Sequence, residues 1–188
     1  MNNNKRIIAF GDIHGCFKAV KQAVLLAQKN NFRAIFLGDY VDRGIDSIKT
    51  LEILMTAKKE NPDWIFLKGN HDQWLLDLIE GKAEKNGKGK LDNGANFSYS
   101  ETTKTLINLE KQASVFQEDV HIFLSTLKSY YKNGDFIFVH NPLRDNSVPL
   151  SEKSIDELIS NYLLEPIWSG KPFIHGHALV RIPTKINK

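Results

Sequence analysis

Three short apolar runs in the first half of the chain each end on a glycine followed by a carboxylate or an amide. Residues 6–10 (RIIAF) stop at Gly11-Asp12, residues 33–37 (RAIFL) at Gly38-Asp39, and residues 64–67 lead into Gly69-Asn70. Apolar runs of this length bounded by turn residues read as buried strands. Helical periods separate them. Residues 17–29 place Val20, Ala23, Val24 and Ala27 on one face. Residues 46–59 carry Ile48, Leu51, Ile53 and Leu54 behind Asp46 or Ser47 as N-cap. Residues 72–80 read as a third helix. Strands alternating with helices predict an α/β fold.

The rhythm breaks over residues 80–94 (EGKAEKNGKGKLDNG), where four glycines and four lysines leave few apolar positions. A mobile, solvated loop is expected there, with a substrate lid as the sharper alternative. Helical patterns resume at 101–111 and 117–128. A strand at 135–139 ends on His140, a helix follows at 151–163, and a last short strand at 172–174 ends on His175-Gly176-His177. No repeat, and no linker other than the 80–94 loop, divides the 188 residues, so one domain spanning 1–188 is expected. With 41% hydrophobic and 25% charged residues, the disordered classes are excluded.

No apolar run approaches the ~18 residues of a membrane span. The four apolar residues Ile7–Phe10 are too few for a secretion signal. The lone Cys16 has no internal disulfide partner, so a cytoplasmic protein is expected. A net charge of +3, with lysines not interleaved with aromatics, argues against nucleic acid as partner.

The chemistry lies at the strand ends: Asp12-x-His14, Asp39-x-x-Asp42-Arg43, Asn70-His71-Asp72, His140 and His177. In open α/β sheets the carboxyl ends of strands are where ligands bind. Such groups are costly to bury unpaired, and a metal satisfies them together. The preceding glycines (Gly11, Gly38, Gly69, Gly176) are expected to let the backbone turn and approach closely. Two aspartates, one asparagine and three histidines without a thiolate suit Mn, with Fe or Zn as alternatives. Six ligands are too many for one catalytic ion that keeps a position open. They suit two ions ~3.5–4 Å apart sharing one carboxylate, the arrangement used for displacement at phosphorus. The planar fork of Arg43 matches phosphate oxygens.

The blocks GDIHG (11–15), GDYVDRG (38–44) and GNHD (69–72), in this order, resemble the signatures of the calcineurin-like metallophosphoesterases. The match is to their phosphoprotein phosphatase branch, which includes Ser/Thr protein phosphatases and symmetrical bis(5′-nucleosyl)-tetraphosphatases. The resemblance, over about residues 7–178, implies a sandwich of two mixed sheets flanked by helices. It implies that Asp12 and His14 hold one metal, Asp39 bridges, and Asn70, His140 and His177 hold the second. Arg43 and Asn70 would then bind the phosphoryl group, and His71, oriented by Asp42, would be the general acid. The implied reaction is direct attack on phosphorus by a hydroxide bridging the metals. Phosphoserine or phosphothreonine in proteins is the favoured substrate, and dinucleoside tetraphosphates the alternative.

The chain departs from the family in four places. His140-Asn141-Pro142 stands for His-Ala-Gly, and Gly176-His177-Ala178 for Gly-His-Thr. Trp168 is followed by Ser169-Gly170 rather than an arginine, leaving Arg144 as the sole arginine between His140 and His177. The strand pair that closes the second sheet in the family is also expected to be missing. These departures motivate a rival reading, an inactive phosphate-binding module, which the intact His71 and Asp42 oppose. Taken singly, each residue has an ordinary explanation. Arg43 could pair with a carboxylate and His140 could be a core histidine. His175 is expected to support a metal ligand or to be structural, Cys16 to be a small residue near the site, and Phe97, Tyr99, Tyr130, Tyr131 and Trp168 to be core or rim.

Overall fold

A computed structural model describes residues 5–85, 87–90, 96–143, 149–151, 153–159 and 171–177. Its first half alternates as the periodicity requires: β1 (Ile7–Phe10), α1 (Phe17–Lys29), β2 (Arg33–Phe36), α2 (Ser47–Glu60), β3 (Ile65–Phe66) and α3 (Asn70–Ile79). Then come β4 (Lys88–Lys90), β5 (Asn96–Ser98), α4 (Ser100–Glu110), α5 (Ser114–Ser125), β6 (Tyr130–Asn133), β7 (Phe136–Val139), α6 (Ile155–Ile159) and β8 (Phe173–Ile174). Among the described residues, no helix is long and apolar enough to cross a membrane.

Strands β1, β2 and β3 form a parallel sheet in that order. In the second sheet β6 pairs antiparallel with β7, and β7 parallel with β8. Mixed strand direction is thus confined to the second sheet. The period of two along each strand divides the core into layers. Ile8, Phe10, Ala34, Phe36 and Phe66 face the helices α1–α5. Ile7, Ala9, Ile35, Leu37, Ile65 and Leu67 face the other way, onto Tyr131, Phe138 and Ile174 of the second sheet. Tyr130, Ile137, Val139 and Phe173 turn outward again, against Leu158 and Ile159 of α6. Because the strands within each parallel pair run together, β1, β2 and β3 end at one edge and β7 and β8 end beside one another.

Several expectations need correction. Within the expected loop, Lys88–Lys90 forms a strand paired with Asn96–Ser98; residues 86 and 91–95 lie outside the described residues. Helix α3 begins two residues early, because the Asp72 carboxylate accepts the Gly69 N–H (2.9 Å) and holds the first turn. Strand β6 is not expected from the sequence, because its polar and aromatic residues hide it; Asn133 pairs with Phe136, and Gly134-Asp135 closes the hairpin with Gly134 at φ 58°. Arg144, residues 160–163 of the expected last helix, Trp168-Ser169-Gly170 and Ala178 lie outside the described residues.

Gly38 and Gly69 show why the strand ends can meet. Gly38 has φ 105°, and a Cβ there would lie 2.4 Å from the Gly69 nitrogen. A Cβ on Gly69 would lie 2.1 Å from Asp39 Oδ1. Gly11 differs from expectation, since a Cβ there would meet nothing within 4 Å. Gly38→Ala is therefore expected to lower the unfolding free energy by about 3 kcal/mol. Urea unfolding measures this, and a loss below about 0.5 kcal/mol would show that the close approach is dispensable.

Candidate metal centre

Each parallel strand delivers its following residues to the common edge. Residues 12–14 follow β1, 39–43 follow β2, 70–72 follow β3, His140 follows β7 and His177 follows β8. The backbone there is unusual. Among the described residues, the non-glycine positive-φ positions are Asn31 and five site candidates: His14 (44°), Asp39 (54°), Asp42 (68°), Arg43 (62°) and His177 (63°). Left-handed conformations of this kind cost energy and cluster at functional sites.

Asp39 is the centre of the arrangement. Its Oδ2 lies 3.5 Å from both His14 Nε2 and His140 Nε2, while its Oδ1 accepts the His71 backbone N–H (3.0 Å). Two trios share it: His14, Asp39 and His71 on one side, Asp39, His140 and His177 on the other, with each trio's donor atoms within 4.8 Å of one another. His140 Nε2 also lies 3.2 Å from Asn70 Oδ1 and 3.1 Å from His177 Nδ1. Asp12 stands slightly apart, with Oδ2 3.9 Å from His14 Nε2 and Oδ1 accepting the His177 N–H (2.9 Å). The first trio thus contains His71 rather than the expected ligand Asp12.

The histidine tautomers follow from chemistry. His14 Nδ1 lies 2.9 Å from the Val41 carbonyl and His140 Nδ1 2.8 Å from the Leu37 carbonyl. Carbonyls only accept, so each Nδ1 carries its hydrogen and Nε2 is left to face the centre. Burial works against a charged His140, but the Asp39 carboxylate outweighs it and pushes the imidazole up to about 9. Burial likewise works against the Asp39 anion, and the charge and hydrogen bond of His140 overcome it, holding the carboxyl well below its usual range. Burial, with His140 beside it, lowers His177 to about 4. Imidazole nitrogens and an amide oxygen gathered around a shared buried carboxylate fit divalent cations, with His140 giving up its proton on binding, so these residues suit the group.

Asp42 and Arg43 lie at the mouth. His71 Nδ1–H donates to Asp42 Oδ2 (2.7 Å), and both residues are buried. Arg43 is half-exposed, with Nη1 3.0 Å from His14 Nε2 and Nη2 3.1 Å from His71 Nε2. All nine residues picked from the sequence therefore converge on one edge.

Four further residues were given no role in the sequence. Asp72 accepts three backbone N–H groups, from Asp39 (2.8 Å), Tyr40 (2.9 Å) and Gly69 (2.9 Å), and so fixes the loop carrying Asp39. It belongs to the GNHD block, which was the available signal. Thr102 and Thr105 donate to Asp42 (2.5 and 2.6 Å), and Trp74 packs on the His71 ring at 4.5 Å. His175 is half-buried against Phe173 and bonds its own neighbour, the Gly176 carbonyl. Tyr99, Tyr130 and Tyr131 pack against core clusters.

A strand-end cluster able to hold two cations over one carboxylate serves displacement at phosphorus, which places the protein among metal-dependent phosphoric ester hydrolases. The chain belongs to the calcineurin-like phosphoesterase family, whose sequence model matches residues 5–181. It is 26% identical over 192 residues to serine/threonine-protein phosphatase 2 of Salmonella typhimurium, covering 96% of this chain and 83% of that protein. It is 35% identical over 136 residues to the symmetrical bis(5′-nucleosyl)-tetraphosphatase of Nitrosospira multiformis, covering 71% of this chain and 42% of that protein. Among solved structures, a protein serine/threonine phosphatase from Saccharomyces cerevisiae shares the fold with a TM-score of 0.56 at 19% identity. That comparison covers 84% of this chain and 49% of the yeast chain, so this chain spans about half of that structure.

Proposed function

We propose that the protein is a cytoplasmic phosphatase of phosphoserine and phosphothreonine in proteins, working with two divalent ions, Mn foremost. Asp12, His14 and Asp39 would hold one ion, and Asp39, Asn70, His140 and His177 the other. When bound, the ions supply charge neutralisation and a water of lowered pKa. The protein's own groups do the rest. Arg43 exchanges its contacts with His14 and His71 for the phosphoryl oxygens, two N–H groups to two oxygens. Asn70 adds a hydrogen bond to the same group. His71, held on Asp42 through Nδ1, presents Nε2 to protonate the ester oxygen as its bond to phosphorus breaks.

The observation that carries the substrate choice is the groove beside Arg43. A cavity of about 760 Å³ runs from Asp42 and Arg43 between α2 and α4. Side chains of both charges line it, Lys49 and Lys104 with Glu52 and Glu101, and no aromatic does among the described residues. A polypeptide can meet such a surface, whereas a nucleobase is served by an apolar or aromatic face. A second reading, symmetrical hydrolysis of dinucleoside tetraphosphates, draws on the half-buried Trp74 and Tyr99 rings, 6.1 Å apart next to His71. The buried His71–Asp42 pair argues against an inactive phosphate-binding module.

Mn-loaded protein assayed side by side is expected to show higher kcat/KM on phosphoserine or phosphothreonine peptides than on diadenosine tetraphosphate. A tenfold preference for the dinucleotide, about 1.4 kcal/mol in transition-state stabilisation, would overturn the protein-phosphatase reading in favour of the second.

A further inference from the structure

We infer that Thr102 and Thr105 of α4 are positioning residues that hold the Asp42–His71 pair ready for proton delivery to the leaving oxygen. The inference rests on the reading of His71 as general acid. Asp42 Oδ2 accepts from His71 Nδ1–H (2.7 Å) and from the Thr102 hydroxyl (2.5 Å), and Oδ1 accepts from the Thr105 hydroxyl (2.6 Å). Asp42, His71, Thr102 and Thr105 are all buried.

Three features separate this from ordinary packing. First, helical threonines commonly turn their hydroxyls to their own backbone or to solvent. These two, three positions apart on one face, instead reach a single carboxylate some 60 residues earlier in the chain. Second, a buried carboxylate needs its lone pairs met, and one imidazole N–H leaves the other oxygen unserved. Two hydroxyls on different oxygens also fix the plane of the carboxylate. Asp42 then offers His71 one lone pair in one direction, and the ring is held with Nε2 toward Arg43, where the ester oxygen departs. Third, the same helix carries Glu101, whose carboxylate lies 3.9 Å from Arg43 Nε. Helix α4 therefore touches both Asp42, which orients His71, and Arg43. If the hydroxyls served only to satisfy a buried charge, their loss would weaken folding and all activity alike. As positioning groups, their loss has a specific signature, because only leaving oxygens of high pKa need the proton.

The test uses full-length Mn-loaded protein with Thr102→Val/Thr105→Val and Thr102→Ser/Thr105→Ser, each alone and combined with His71→Asn. The substrates are a phosphoserine peptide and p-nitrophenyl phosphate, whose leaving group departs without protonation. The valine pair is expected to lower kcat on the peptide about 10- to 100-fold with KM nearly unchanged. The loss on nitrophenyl phosphate should be under about threefold, the serine pair should restore most of the rate, and the valines should add little to His71→Asn. An NMR readout is independent of turnover: the His71 Nδ1 proton should be a slowly exchanging resonance in wild type and the serine pair. It should be lost to exchange in the valine pair or, should that pair fail to fold, in Thr105→Ala alone. Equal losses on both substrates, or an unchanged Nδ1 proton, would overturn the inference. If His71→Asn itself loses equally on both substrates, the underlying acid reading is what fails.

Discussion

Asp39→Asn is expected to abolish binding of both metal ions and to lower turnover about 10³-fold or more. The variant is informative because it spares the local backbone. Oδ1 of Asp39 accepts the His71 N–H, and an asparagine carbonyl can keep that bond. The change falls on Oδ2, which stands 3.5 Å from His14 Nε2 and equally from His140 Nε2. An amide nitrogen there offers hydrogens instead of a lone pair, and carries no charge. His177→Ala, in contrast, touches one side of the shared carboxylate and should reduce bound metal from about two ions per chain to about one. Metal analysis of purified proteins, with calorimetric titration of Mn, checks both. A single tightly held ion supporting full activity would refute the dinuclear centre. The same geometry sets a pH dependence. With His140 pushed up to about 9, a cation must displace its proton at neutral pH. Apparent metal affinity should therefore rise by about tenfold per pH unit from about pH 7 toward 9 and then level off.

How much of this was legible in the sequence depends on whether the deciding interaction was local. Helix α1 spans residues 17–29 as read, because its apolar spacing alone sets which face meets the sheet. Asp46 is the N-cap of α2, its side chain accepting the Lys49 N–H, a bond formed within four residues. The nine candidate residues meet at one edge because they follow the ends of short apolar strands, and parallel strands bring those ends together. What stayed hidden was non-local. Thr102 and Thr105 look like ordinary residues in a helix, and nothing nearby announces a partner near position 42. Trp74 reads as one more apolar residue of the helix after the GNHD block until the fold places its ring against His71. Asp72 was part of that block, yet its work is on the β2–α2 loop, more than thirty residues away. The order of the second sheet was likewise unreadable, since β8 pairs with β7 across the intervening α6.

His71→Asn is expected to reduce turnover on phosphoserine peptides by roughly 10²–10⁴-fold, the usual contribution of a positioned acid. The buried imidazole has two distinct ends. Nδ1 is committed to Asp42 at 2.7 Å, so it cannot give its proton to substrate without breaking that bond. Nε2 faces the mouth, 3.1 Å from Arg43 Nη2, where an arginine bound to phosphate would also be. A proton on Nε2 is therefore next to the oxygen that leaves, and an asparagine can fill part of the space without supplying an acid of suitable strength. The effect must then track how badly the leaving group needs a proton. A serine alkoxide is a very poor leaving group; a nitrophenolate leaves unaided. The loss on p-nitrophenyl phosphate should accordingly be at least about tenfold smaller than on the peptide. His71 also lies within 4.8 Å of His14 and Asp39, so it could instead serve as a metal ligand. The two roles separate cleanly. A ligand's removal would cost metal and slow both substrates together, whereas an acid's removal leaves metal content unchanged and slows the alkyl ester far more than the aryl one.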